Sequence, residues 1–110
     1  MFRISLFLLV ALFSKVTFAK QIDAKVNNVG CHVNSTICYI NIESAIPSTN
    51  NCPKRSSHSI RWDTSNIKNA DAILSILLSA QVAQKKVAIF IPDSVCVLGF
   101  PTLSYAHIRG

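Results

Sequence analysis

Four cysteines (Cys31, Cys38, Cys52 and Cys96) and three histidines (His32, His58 and His107) are the residues of this chain best able to do chemistry. Together they suggest zinc, with Cys31, His32 and His58 as ligands. Yet no C-x-x-C or H-x-x-x-H spacing occurs, and Cys31 and His32 as neighbours point to opposite faces of a strand. No histidine adjoins a nucleophile elbow, an HExxH pair or a phosphate-binding loop. Asp63 and His58 could meet in space, but a lone strand histidine is more often a packed or surface residue. The five carboxylates are spread out with no suggestive pair. The expectation is therefore a chain with no metal, no cofactor and no catalytic residues.

Disulfides suit the cysteines better. An even count in a small exported domain reads first as bridges, and four cysteines allow three pairings. With Asn34-Ser35 as the tip of a hairpin, Cys31 and Cys38 face each other on adjacent strands, close enough to bond. Cys52 then pairs with Cys96, tying a long loop to the turn after a later strand. Closing so long a stretch restricts the unfolded chain by about 3–4 kcal/mol in the chain-entropy model.

The elements that must position these residues follow from periodicity. Residues 1–19 read as a secretory signal peptide: Arg3 in the n-region, Ile4–Phe13 as the apolar h-region, and Thr17-Phe18-Ala19 before the cleavage point. Ten apolar residues fall short of the roughly twenty that span a bilayer. Residues 20–110 then form one small domain, exported to the periplasm or beyond, with no membrane span. A loose alternation over Ile22–Val33 predicts a strand that bulges near Asn27-Asn28, and Thr36–Glu43 predicts its hairpin partner. Asn34-Ser35-Thr36 also fits the N-glycosylation sequon and is read as a turn. Ser44–Ser57 is the longest loop. His58, Ile60 and Trp62 line one face of a third strand, with Ser59 and Arg61 on the other; Trp62 is read as core in preference to a sugar platform.

A helix is predicted from Ile67 to Gln84, with Asp63, Thr64, Ser65 and Asn66 as N-cap candidates. Asp71 near its start and Lys85 and Lys86 at its far end suit the helix dipole. At 100° per residue, Lys68, Asp71, Ser75 and Ser79 fall on one narrow polar stripe. The apolar arc that remains exceeds what one small core covers. Ala72 and Ile76 flank the stripe on one side, with Leu74 and Leu78 on the other. These four are the candidate surface for a homo-oligomer, against the alternative of complete burial within one chain. Lys86–Ile91 and Thr102–Ile108 complete the strands. The order strand, strand, strand, helix, strand, strand is that of the OB-fold, so the fold class is all-β with one helix in a five-stranded barrel.

Without Arg3 and Lys15, nine basic residues face five acidic ones, a net charge of +4. A solvated basic face explains this better than nucleic-acid binding, which also needs several exposed aromatics along a basic groove. The candidate ligand surface is Ser59, Arg61 and Tyr105, with the Ser44–Ser57 loop.

The segment WDTSNIKNADAILSILLSAQVAQKKVAIFIPDSVC, followed by FPTLSYAHI, resembles a set of small exported bacterial proteins. Their shared pattern is a helix of the form A-x-x-x-x-L-L-S-A-x-x-A-x-K-K-V, then a strand, a cysteine and a final strand. Gln84 stands where those proteins usually carry glycine. More distantly, helix, strand and cysteine in that order resemble the B subunits of AB5 toxins of the subtilase-cytotoxin and pertussis-like groups. That resemblance implies a disulfide-bonded OB-fold whose helices line the centre of a ring. It implies a non-enzymatic binding module for host or cell-surface glycans. An accessory or inhibitor-type domain that binds a partner protein is the alternative.

Overall fold

A computed structural model describes residues 19–110, and the leader read over residues 1–19 lies outside them save for the backbone of Ala19. Eight strands form three sheets around one helix. In order these are β1 (Ala19–Ala24), β2 (Val26–Cys31), β3 (Ile37–Ile42), β4 (Ser59–Asp63), α1 (Ala70–Ala83), β5 (Val87–Pro92), β6 (Cys96–Val97), β7 (Phe100–Pro101) and β8 (Tyr105–Ile108). The sheets are β1-β5-β8, β2-β3-β4 and the small hairpin β6-β7, with every pair antiparallel.

The expected five strands become eight, and none of the sheets closes into a barrel. One reason lies at Lys25. β1 and β2 run almost continuously, but the chain changes pairing partner there, so Ala24 opposes Val87 while Val26 opposes Ile42. Lys25 itself accepts the Glu43 N–H. A register shift between Val26 and Asn28 leaves Asn27 as the extra residue of the expected bulge. The helix covers this point, since Gln81 Nε2 donates to the Asn27 carbonyl at 2.9 Å.

Alternation decides what lies inside. Ile40 opposes Ile60 and Cys38 opposes Trp62, so the inner face of the second sheet is apolar. Val87, Ile89 and Ile91 of β5 complete the core from the first sheet, and all three are buried. Leu77 and Ala80 of the helix close over it, with Ile73 and Leu74 half-buried beside them. Each fully buried Ile or Leu contributes about 1.5–3 kcal/mol. Trp62 is fully buried, which removes it as a sugar platform.

The helix begins later than expected. Asp63 does not cap it: its carboxylate accepts from Thr36 Oγ1, Ser65 N and Ser65 Oγ, ending β4 in a tight turn. Asn69 precedes the first helical residue and makes no side-chain cap bond. At the other end Gln84 is left-handed, with φ of 56°, and Lys85 N–H closes the helix on the Ala80 carbonyl. Lys85 and Lys86 therefore lie beyond the helix, in the link to β5. No helix among the described residues is long and apolar enough to cross a membrane.

Two disulfides are present, Cys31–Cys38 across β2 and β3 and Cys52–Cys96 between the long loop and β6. They span 7 and 44 residues of chain respectively. Chain entropy then predicts that replacing Cys52 and Cys96 by serine costs about 4 kcal/mol, and replacing Cys31 and Cys38 about 2 kcal/mol. Denaturant unfolding followed by Trp62 fluorescence measures both; a larger loss from the hairpin bond would contradict the entropic account.

Candidate functional site

Two sheet faces carry aromatic and polar side chains outward, and register sets what each presents. On the second sheet, Gly30, Tyr39 and Arg61 lie opposite one another across β2, β3 and β4. Asn28, Asn41 and Ser59 form the adjacent row. On the first sheet, Gln21, Phe90 and Tyr105 share one row, and Asp23, Ala88 and His107 the next.

Arg61 is the centre of the first face. Its guanidinium carbon lies 3.7 Å from the centroid of the Phe100 ring and 5.6 Å from that of Tyr39. Phe100 comes from β7, and the β6-β7 turn brings it under the arginine through Leu98 and Gly99, both at positive φ. A guanidinium this close to an aromatic ring makes a cation–π contact, which limits how the side chain moves. Arg61 Nε donates to Ser59 Oγ at 3.4 Å, and Nη1 lies 3.5 Å from His32 Nε2. Arginine only donates, so this contact needs the His32 nitrogen unprotonated. Lys54 also approaches this ring, its Nζ 4.9 Å from the Phe100 centroid.

Tyr39 owes its position to a missing side chain. A Cβ on Gly30 would lie 2.8 Å from the Tyr39 hydroxyl oxygen, so the phenol crosses β2 only because that strand has glycine there. The His32 ring packs beside it, with centroids 5.6 Å apart.

On the second face, Phe90 meets Tyr105 edge-on at 4.4 Å, and His107 stacks on Tyr105 at 5.8 Å. Tyr105 remains 41% exposed. Arg109 Nη2 lies 3.8 Å from Asp23 Oδ2, both exposed, which makes a weak surface pair.

The three residues read as one ligand surface are thus divided. Ser59 and Arg61 share a face, but Ser59 is buried and serves to hold the arginine. Tyr105 belongs to the other sheet. The Ser44–Ser57 loop is tied down: Asn50 Oδ1 accepts Cys52 N–H, Asn50 Nδ2 donates to the Pro92 carbonyl, and Asn51 N–H donates to Asp93. Gly30, His32, Tyr39, Lys54 and Phe100 were missed; alternation through Tyr39 was the one available signal. Of the helix residues, Ala72 and Leu78 are exposed while Leu74 and Ile76 are half-buried. Val82, at 75% exposure, lies within the stripe read as polar. All four cysteines are bonded, and the described residues contain no group of three metal-ligating side chains.

The Asp63 carboxyl is held below the ordinary aspartate value of 3.8, chiefly by the Ser65 hydroxyl, then by the Thr36 hydroxyl and the Ser65 N–H. A depressed folded value means stabilisation present above that ordinary value and lost as pH falls through the folded one. Asp63→Asn is expected to flatten the acid limb of the stability profile below about pH 4, measured by thermal unfolding. An unchanged acid limb would remove this role. Compared with protein-family models, with curated proteins and with solved structures, the chain matches none.

Proposed function

We propose that the chain is an exported, non-enzymatic binding module for carbohydrate, built as an OB-type barrel and acting in several copies, as toxin B subunits do. The observation that carries the reading is the exposed Tyr105 ring, steadied by Phe90 and His107 on an open sheet face with Gln21 in its row. Sugars present apolar C–H faces to aromatic rings and hydroxyls to neighbouring amides and carboxylates, and this face offers both. The barrel reading is supported by the near-continuous strand shared between two sheets and by a helix placed between β4 and β5. Export is supported by the two disulfides.

A glycan array probed with folded protein tests the function. Binding to a neutral or acidic oligosaccharide is expected, and Tyr105→Ala should weaken it about tenfold, the loss of roughly 1.4 kcal/mol of ring contact. An array with no ligand removes the reading.

Assembly is proposed from the helix. Leu78 and Val82 are 48% and 75% exposed on successive turns, with Ala72 and Ala83 also in solvent. A second copy packed there would bury this apolar surface. Light scattering at tens of micromolar should give a multimer, and Leu78→Asp with Val82→Asp should give a folded monomer. A monomeric parent protein removes the assembly and leaves the binding face to act singly.

A further inference from the structure

We infer that the Arg61 face is a second binding site, specific for the carboxylate or sulfate of an acidic sugar. The inference rests on the carbohydrate reading and adds to it a ligand class and a separate location. Among the described residues no carboxylate lies within 4 Å of Arg61, and the one ion pair is Arg109 with Asp23. Asp63 is on the same outer face of β4, but its Oδ1 accepts from Thr36 and Ser65 and its carboxylate makes no ion pair with Arg61. The side chain nevertheless has close neighbours. Phe100 lies against the guanidinium, Ser59 and His32 sit 3.4 and 3.5 Å from two of its nitrogens, and Arg61 is half-buried. Ordering a long side chain before a ligand arrives lowers the entropy cost of binding. A planar fork held in place suits two parallel bonds to a carboxylate or sulfate.

The surroundings select the rest of the ligand. Lys54 adds a second cation beside Phe100, while the adjacent row is uncharged, with the amides of Asn28 and Asn41. Tyr39 lies over Gly30 in the same row as Arg61. One or two positive charges beside amides and a ring fit a single acidic sugar with several hydroxyls. A nucleic-acid strand would need cations repeated along a groove together with stacked aromatics.

The test is an NMR titration of the full mature protein with three probes: a uronate-containing sulfated disaccharide, neutral N-acetyllactosamine and inorganic sulfate. The acidic disaccharide is expected to shift the Arg61 Nε–Hε resonance and to bind at least tenfold more tightly than either other probe. Arg61→Gln should weaken it tenfold or more, with Arg61→Lys intermediate. If Arg61→Gln fails to fold, the wild-type Arg61 resonance and Lys54→Gln, which should weaken binding several-fold, decide instead. Equal affinity for inorganic sulfate would overturn the sugar assignment, as would tighter binding of a short oligo-dT. A silent Arg61 resonance with shifts at Tyr105 would overturn this site and leave the carbohydrate reading standing. Silence on both faces would overturn both.

Discussion

One constraint governs the architecture: the chain from Ala19 to Cys31 must hydrogen-bond to two different sheets at once. Its first half pairs with β5 and its second with β3, and the change occurs at Lys25. Because the two sheets share this strand, their apolar faces cannot separate without breaking a ladder. The bulge at Asn27 supplies the local twist, and Gln81 from the helix satisfies the carbonyl there. Helix position and sheet geometry are thus set at the same point.

With the inner faces committed to Trp62, Ile40, Ile60 and Ile89, the outer faces are free to carry polar and aromatic groups. Both outer faces pair an aromatic row with a polar one. On the first sheet the aromatic row is anchored by Phe90 and on the second by Phe100 from the small hairpin. Neither is a deep pocket. Two hollows, of about 500 Å³ at the start of the helix among Thr64, Lys68, Asn69 and Asp71, and of about 330 Å³ beside Val95 and Leu103, lie elsewhere. Recognition on such faces depends on rings and amides held rigid by the ladders beneath them.

Much of this was legible in the sequence wherever the signal was local. The hairpin around Asn34-Ser35 put Cys31 opposite Cys38 because pairing across a short turn is fixed by spacing. The bulge and the helix interior were legible for the same reason. Asp63 misled because a cap residue and a turn residue have the same chemistry, and only the non-local Thr36 hydroxyl decides between them. Gln84 occupies a left-handed position that glycine would take without strain, and its amide donating to the Gln81 carbonyl helps hold it. Arg61 was found from alternation, but its ring support was not. Phe100 lies far along the chain, and no periodicity reports that a two-residue strand folds back onto β4. The division into eight strands and three sheets was not legible, since strand order alone does not say where a strand changes partner.

The Cys52–Cys96 bond closes a covalent circuit that contains β4, the helix and β5. Within that circuit lies the exposed pair Lys85-Lys86. A trypsin-like protease cutting there would sever the backbone without releasing a fragment, because the disulfide joins the two pieces. The β1-β5 ladder also bridges the cut, so the nicked molecule keeps both a covalent and a hydrogen-bonded tie between its pieces.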